Sequence, residues 1–439
     1  LPLLAVPPCL RGATSGEKRE HLHDAWTLRG PAIAENLTCE MRSFYGLVAV
    51  AGAFVAFGCG SEATFGDAGG GGSSSTTASG GTSSVGGAGT GAGETGGMAA
   101  TGGMGAGGSP PLGDPIEAPD MTWTWVDFPE AKCRNGSNTG IGVNLNSGSD
   151  KVMIFLQGGG ACFNGISCGT NPSSYGENDF GSGPSGGVFA RGNMQNPVAD
   201  WSFIFVPYCT GDVHAGDNPG TMVPNVGTQD FVGYSNMTKY LERIVPTFPA
   251  ATQVLLTGVS AGGFGAAANT DQVRRYFGNI PVTLIDDSGP PFSGEYAAPC
   301  LQQQWANLWG LEKTLIADCG ASCPDPSNFL IDYALYLGDT YPNEPAGLIS
   351  SQGDNAIRTF LAFGENHCNA GFYSTQKYAE GLDDLKSQVD ENVFGTYYIQ
   401  GTQHTWIGGG SFYNTTVNGV PLTQWFADVL AGNPAHVAP

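Results

Sequence analysis

The sequence is poor in basic residues and in charge of any kind. Its 439 residues include 17 Lys and Arg against 39 Asp and Glu, a formal net charge of −22, and charged residues make up only 13% of the chain. From Asp114 to Pro439 the counts are 12 basic and 31 acidic residues, which gives a charge near −19. A surface of this sign disfavours nucleic acid and anionic membranes, so we expect neither as a direct partner.

Large apolar residues are almost missing from residues 60–113. This stretch holds 21 of the 69 glycines, together with Ser, Thr and Ala. A segment of this composition cannot bury enough apolar surface to form a core, and we predict a disordered linker. The remaining residues, 114–439, suit one large domain better than two small ones.

The sequence also lacks a hydrophobic run long enough to span a membrane comfortably. The best candidate runs from Phe44 to Phe57, between the basic Arg42 and the pair Gly58-Cys59. It is short for a bilayer core of ~30 Å, and its layout is typical of a secretion signal over residues 41–59. A small residue before Cys59 resembles a bacterial lipoprotein signal, which would make Cys59 a lipidation site.

Residues 1–40 fit no part of this organisation, and translation from Met41 would explain them. The alternatives for the signal are an ordinary cleaved peptide or a marginal membrane helix. We predict an exported protein, either secreted or held at the outer cell surface, that meets a membrane only through a lipid anchor.

Common metal-binding motifs are absent: the sequence has no Cys-x-x-Cys and no His-Glu-x-x-His pattern, so we expect no metal site. The predicted domain nevertheless contains an even set of cysteines, which in an exported protein indicates up to four disulfides. These are Cys133, Cys162, Cys168, Cys209, Cys300, Cys319, Cys323 and Cys368.

Five short apolar runs of the domain each end in a small or polar cluster. Nearly continuous apolar runs predict strands covered on both faces, and helix-like segments at Ser235–Val245 and Gly265–Phe277 lie between them. This alternation predicts an α/β fold with a largely parallel central sheet, whose ligands gather beyond the carboxyl ends of the strands. The five runs are Lys151–Leu156, Trp201–Pro207, Gln253–Thr257, Pro281–Ile285 and Thr396–Ile399.

The pattern Gly258-Val259-Ser260-Ala261-Gly262 follows one of these strands directly and precedes a helix. A sharp strand-to-helix turn needs glycine on both sides and leaves the central hydroxyl exposed for attack. We therefore predict Ser260 as a nucleophile. A tight turn without chemistry is the alternative.

A serine nucleophile needs a base, which in this kind of fold comes later in the chain. His404 follows the last clear strand and fits that role, whereas His367 lies in a polar loop and His436 near the end of the chain. His214 precedes Ser260, so we expect a surface or supporting role for it.

The acid that orients the base has two candidate positions. Asp286 and Asp287 end a strand but come early after Ser260, whereas Asp354 ends the weaker run Gly347–Ser351. Spacing favours Asp354 and leaves the other two open, because any Asp here could simply cap a turn or helix.

Three consecutive glycines, Gly158–Gly160, follow the strand that ends at Leu156. Glycine triplets in lipases and esterases turn backbone N–H groups toward a developing oxyanion, and the residue after the nucleophile, here Ala261, supplies another donor. The alternative is one more glycine-rich turn.

Together these segments resemble the pectin acetylesterase and Notum family of α/β-hydrolase-like serine esterases, from about Trp123 to Phe426. The segments that carry the resemblance are Cys133–Ser137, Phe155–Asn164, Pro207–Asp212, Thr257–Gly265, Gln352–Asp354 and Gln403–His404.

The resemblance implies Ser260, Asp354 and His404 as the catalytic triad. It also implies oxyanion donors at Gly159, Gly160 and Ala261. For the cysteines, it implies that Cys162 pairs with Cys168 and that Cys133 pairs with Cys209. Familiar members carry a bulky aromatic where this chain has Gly160, so their chain-length preference does not transfer.

The resulting expectation is an exported serine esterase, without a cofactor and as a monomer, that removes acetyl groups from pectin-like or other polysaccharide. One alternative is a deacylase for longer acyl esters of proteins or lipids. Another is a catalytically silent glycan-binding protein at the cell surface.

Overall fold

The structure, a computed structural model, describes residues 112–439. The expectations for residues 1–40, for the signal at 41–59 with Cys59, and for all but the end of the linker at 60–113 lie outside the described residues. Within residues 112–439, no helix is long and apolar enough to cross a membrane.

The described part alternates strands and helices. The strands are β1 (Thr124–Lys132), β2 (Asn138–Asn144), β3 (Lys151–Leu156), β4 (Ser202–Val206), β5 (Asn218–Val223), β6 (Gly227–Phe231), β7 (Gln253–Val259), β8 (Val282–Asp287), β9 (Ala346–Ser351), β10 (Phe394–Ile399), β11 (Thr416–Val417), β12 (Val420–Pro421) and β13 (His436–Val437). The helices are α1 (Gly165–Thr170), α2 (Glu177–Phe180), α3 (Gly233–Thr247), α4 (Ala261–Phe277), α5 (Pro299–Trp309), α6 (Leu315–Cys319), α7 (Phe329–Thr340), α8 (Asn355–Leu361), α9 (Glu365–Cys368), α10 (Thr375–Gln388), α11 (Ser411–Asn414) and α12 (Leu422–Leu430).

Nine strands form the central sheet in the order β1-β2-β4-β3-β7-β8-β9-β10-β13. The pairs from β4 to β13 are parallel, whereas the β1–β2 and β2–β4 pairs at one edge are antiparallel. The prediction of an α/β fold with a largely parallel sheet is confirmed. The five apolar runs lie in β3, β4, β7, β8 and β10, and the weaker run is β9.

Each buried strand sends alternate side chains to opposite faces of the sheet. In β7, Val254 and Leu256 belong to one apolar cluster, which includes residues of α4 and α7, whereas Leu255 belongs to a second cluster with α12. Both faces are therefore covered, which explains why these strands read as continuous apolar runs.

The parallel register brings the carboxyl ends of the strands to one edge. Leu156 lies beside Gly258, Gly258 beside Asp286, and Ser351 beside Ile399. The segments that follow β3, β7, β8, β9 and β10 are therefore neighbours. All the predicted catalytic residues lie in these segments.

Candidate active site

Ser260 lies in the turn between β7 and α4, in a conformation that most residues avoid. Its φ is 59° and its ψ is −121°, and a non-glycine residue held in such a region costs on the order of 1–3 kcal/mol. The flanking glycines are required by space, because a Cβ on Gly258 would collide with the Gly262 carbonyl and one on Gly262 with the Leu156 carbonyl. The strained strand-to-helix turn expected of a nucleophile is present.

The structure joins His404 to Asp354, and not to the earlier aspartates. His404 Nδ1 lies 2.8 Å from Asp354 Oδ2, and Asp354 is completely buried. The other carboxylate oxygen caps α8, since Asp354 Oδ1 accepts hydrogen bonds from the amides of Ala356 and Ile357 at 2.9 and 3.0 Å. These contacts fix the carboxylate and, through it, the imidazole ring.

The second ring nitrogen of His404 is left available. Among residues 112–439, Nε2 of His404 is buried and has no hydrogen-bond partner, Ser260 included. With Nδ1–H donating to Asp354, Nε2 carries a lone pair. Such a nitrogen can accept a proton, and nucleophile-to-base hydrogen bonds are often loose before a substrate is bound.

Asp287 connects the nucleophile turn to the histidine loop, which we define as residues 400–407. Its carbonyl oxygen accepts the Ser260 amide at 2.7 Å. Its Oδ2 accepts the amides of Trp406 and Ile407 at 2.6 and 2.8 Å, and its Oδ1 accepts the Ser288 hydroxyl at 2.9 Å. The backbone amide of Thr405 donates to Ser288 Oγ at 3.3 Å. Sequence reasoning considered this residue only as an alternative acid, and missed this role.

Burial shapes the ionisation of the two aspartates after β8. Burial raises the pKa of Asp287 to about 6, although the amides of Ile407 and Trp406, the Ser288 hydroxyl and the nearby His404 oppose the rise. Asp286 is also buried, and desolvation holds its pKa well above the usual range despite a hydrogen bond from the Gly289 amide. Neither carboxylate makes a hydrogen bond to the His404 ring.

The glycine loop, residues 157–161, follows β3 beside Ser260. A Cβ on Gly159 would lie 2.7 Å from the Tyr208 ring, and Gly160 has φ +79°, so both positions favour glycine. Among the described residues, the amides of Gly159, Gly160 and Ala261 donate no hydrogen bond. These are the three predicted oxyanion donors.

His214 contacts the backbone of the glycine loop. It is buried, and its Nε2 lies 2.9 Å from the Gln157 carbonyl oxygen. Burial lowers the pKa of His214 to about 4, so the ring is neutral at pH 7 and Nε2–H donates to that carbonyl. Of the two roles expected for His214, the supporting one fits the contacts and the surface one does not.

A cavity of about 360 Å³ opens at Ser260 and Gly160. Its lining is mostly apolar and comes from α4, α5, α7 and α8, with Phe264, Ala267, Trp305, Phe329, Ile357 and Phe360 among the lining residues. Phe360 Cζ lies 3.1 Å from where a Cβ of Gly160 would be, so its ring occupies the space that a side chain at position 160 would need. Arg274 Nε lies 2.6 Å from Glu344 Oε2, and this ion pair forms a polar patch in the lining.

All eight cysteines of the domain are paired. The bonds are Cys133–Cys209, Cys162–Cys168, Cys300–Cys368 and Cys319–Cys323. The first two are the pairs that the family resemblance implied, and they lie in the segments around the glycine loop. Four disulfides fit an exported protein. In the described part of the chain, no group of three or more His, Cys, Asp or Glu side chains is arranged to hold a metal ion.

Comparisons with known proteins agree on one family. The model of the pectinacetylesterase family matches residues 117–317. The palmitoleoyl-protein carboxylesterase notum1a of Danio rerio is 27% identical over 188 residues, which are 39% of this chain and 36% of that protein. Pectin acetylesterase 5 of Arabidopsis thaliana is 27% identical over 221 residues, which are 46% of this chain and 51% of that protein.

The fold comparison extends further along the chain than the sequence matches do. The crystal structure of the Wnt deacylase Notum from Drosophila superposes with a TM-score of 0.56 and 20% identity, and covers 72% of this chain and 95% of that one. The curated relatives are matched over only about a third to a half of their own length. At this identity the structural likeness establishes a shared fold.

Proposed function

We propose that this chain is a serine carboxylic-ester hydrolase of the pectin acetylesterase and Notum family, because residues 117–317 match the pectinacetylesterase family model and the curated relatives are carboxylesterases of that kind. In this proposal Ser260 is the nucleophile, His404 the base and Asp354 the acid that orients it. The observation that carries the proposal is the 2.8 Å contact between Asp354 and His404 Nδ1, which leaves His404 Nε2 unpaired within the described residues.

The reaction follows from these positions. His404 Nε2 takes the hydroxyl proton as Ser260 Oγ attacks the ester carbonyl, and the amides of Gly159, Gly160 and Ala261 hold the resulting oxyanion. The ester C–O bond then breaks, and His404 returns the proton to the leaving alcohol. Water attacks the acyl-enzyme with His404 again as the base, which releases the carboxylic acid and regenerates Ser260. The proposal requires no cofactor.

Replacing the nucleophile tests this assignment. We expect Ser260→Ala to lower the turnover of a p-nitrophenyl ester by at least about 10³-fold, because the covalent step is lost. The matched control is Ser387→Ala on the exposed side of α10, which should retain full activity. Appreciable turnover by Ser260→Ala would refute the role of Ser260.

The cavity supports an acyl group longer than acetyl. Its volume of about 360 Å³ lies in the range of pockets that enclose drug-sized ligands, and its lining near Ser260 is mostly apolar. Burying each additional methylene in such a space contributes about 0.8 kcal/mol. This observation favours the deacylase alternative of the sequence analysis.

Deacetylation of polysaccharide is the second candidate, and the match to the pectinacetylesterase family model supports it. The arginines that could attract a polyuronate are already engaged. Arg191 donates to Asn144, Arg274 pairs with Glu344 and Arg275 pairs with Asp318. With a domain charge near −19, neutral glycan esters suit this chain better than charged pectin.

A panel of esters separates the two candidates. We expect kcat/KM to rise from the acetyl ester to longer p-nitrophenyl esters, up to palmitoyl, if the cavity receives the acyl chain. Acetate release from acetylated xylan and pectin is measured with the same enzyme. Fast acetate release together with no gain for longer chains would refute the deacylase and support the polysaccharide esterase.

A further inference from the structure

Asn171, the residue that follows α1, reaches the glycine loop from outside the proposed triad. Its side chain is 6% exposed, and its Nδ2 donates a hydrogen bond of 2.8 Å to the carbonyl oxygen of Gly159. The two residues are 12 positions apart in the chain. Asn171 is therefore a buried side chain whose amide group is directed at the backbone of the loop beside Ser260.

The orientation of the Asn171 amide is set by Arg134. Arg134 Nε donates to Asn171 Oδ1 at 3.0 Å, and one terminal nitrogen donates to the carbonyl oxygens of Cys168 and Asn171 at 2.8 and 2.5 Å. Because a guanidinium carries only donors, Asn171 must turn its oxygen toward Arg134. Its nitrogen is then the atom that faces Gly159.

Holding the Gly159 carbonyl also fixes the neighbouring amide. The peptide unit between Gly159 and Gly160 is planar and trans, so its C=O and N–H point in opposite directions. When Asn171 holds the carbonyl on one side, the Gly160 N–H points to the other. Gly160 lines the cavity together with Ser260, and its amide has no acceptor among the described residues.

Without such a restraint this peptide could reorient easily. Both of its residues are glycines, and glycine adopts positive and negative φ with similar ease. A reversed peptide would present the Gly159 carbonyl oxygen where a donor is needed, and would repel a developing negative charge.

We propose that Asn171, oriented by Arg134, is a positioning residue that holds the Gly159–Gly160 peptide with its N–H available to the oxyanion. The inference rests on the proposed function. It adds that one donor of the oxyanion hole depends on a side chain that touches neither the substrate nor the triad.

Asn171→Asp tests the proposal with almost no change in shape. Arg134 can pair with the new carboxylate and keep it in place, but the second oxygen repels the Gly159 carbonyl instead of donating to it. Since loss of an entire donor costs about 10²–10³ in kcat, we expect kcat to fall by roughly 10- to 100-fold, with KM within about twofold of wild type.

A transition-state mimic distinguishes positioning from general damage. An alkyl trifluoromethyl ketone bonds to Ser260 Oγ and places an oxyanion in the hole. Its inhibition constant should increase in Asn171→Asp by about the same factor by which kcat/KM falls. A loss of kcat with unchanged ketone affinity would refute the proposal.

The matched control is Asn236→Asp. Asn236 is also buried, and its Nδ2 donates to the Lys132 carbonyl at 2.7 Å, between α3 and β1. We expect it to keep kcat and ketone affinity within about twofold of wild type. Asn171→Asp activity equal to that of this control would overturn the proposal.

If Asn171→Asp does not fold, Asn171→Ala is measured by the same criteria. Here the hydrogen bond is lost without repulsion, so a smaller fall in kcat, about fivefold or more, should again be matched by the ketone. Failure of the proposed function is a separate result, since Ser260→Ala would then retain activity whatever Asn171 does.

Discussion

The glycine loop and the histidine loop both reach Ser260 from the carboxyl ends of strands, yet the side chains that fix the backbone beside the proposed oxyanion donors and beside His404 make different contacts. In the glycine loop, side-chain donors hold carbonyl oxygens: His214 holds Gln157, and Asn171 holds Gly159. In the histidine loop, the carboxylate of Asp287 accepts hydrogen bonds from the amides of Trp406 and Ile407, next to His404, while the Ser351 hydroxyl donates to the Gln403 carbonyl oxygen on the other side.

The difference matches the charge that each loop would meet in the proposed reaction. When side chains hold the carbonyl oxygens of the glycine loop, the N–H groups of the loop remain free to donate hydrogen bonds to an oxyanion. Around the histidine, the carboxylates of Asp354 and Asp287 supply negative charge, which suits an imidazole that becomes an imidazolium. Two predictions test this contrast and a third tests the cavity that both loops border, in order of decreasing effect on the chemistry.

Removing the negative charge in contact with His404 should have the largest effect. Asp354→Asn leaves the ring next to an amide that can stabilise the wrong tautomer, so we expect kcat to fall by about 10³–10⁴-fold. Steady-state hydrolysis of a p-nitrophenyl ester measures the loss. Asp383→Asn, on the exposed side of α10, is the control and should leave kcat unchanged. A fall smaller than tenfold would contradict the role of Asp354.

Neutralising Asp287 should have a moderate effect on rate and a pH-dependent effect on stability. Asn can accept the two loop amides and donate to Ser288, so Asp287→Asn removes charge near Asp286 and His404 while retaining the hydrogen bonds. We expect kcat to fall by about three- to tenfold. The melting temperature should rise relative to wild type at pH 8, and this gain should vanish near pH 4.

The sign follows from the raised pKa of Asp287, about 6 in the folded protein against an ordinary value of 3.8. Wild type retains the full contribution of the neutral carboxyl to stability below pH 3.8 and loses it as the pH rises through about 6. The variant titrates nothing at this position. A melting-temperature difference that does not change between pH 4 and pH 8 would contradict the buried, titrating carboxyl.

Filling the cavity should have the smallest effect on the chemistry itself. Ala267 lines the cavity from α4, so Ala267→Phe should obstruct long acyl chains and spare acetyl esters. We expect the ratio of kcat/KM for octanoyl to acetyl p-nitrophenyl ester to fall about tenfold. An equal loss for both esters would show that the substitution disturbs Ser260 instead of the acyl site.

Much of the fold could be predicted from sequence because its signals are local. Continuous apolar runs marked the central strands, and the glycines around Ser260 marked the turn, although β7 extends to Val259, two residues beyond the predicted run. Asp354 was favoured by spacing and by family resemblance.

The supporting contacts could not be predicted, because they join side chains to backbone atoms that only the tertiary fold brings together. Nothing near Asn171 in the sequence indicates that it bonds to Gly159, and nothing near Asp287 indicates that it holds two amides of the histidine loop. The cavity is equally non-local, because its lining comes from several helices.

The central claim, that Ser260 is a nucleophile activated by His404, is tested most directly by covalent labelling. Wild-type protein is treated with an alkyl fluorophosphonate, and the modified residue is located by mass spectrometry of its peptides. We predict a single adduct on Ser260, much slower labelling in His404→Ala, and none in Ser260→Ala. Labelling elsewhere, or equal labelling rates for wild type and His404→Ala, would contradict the account.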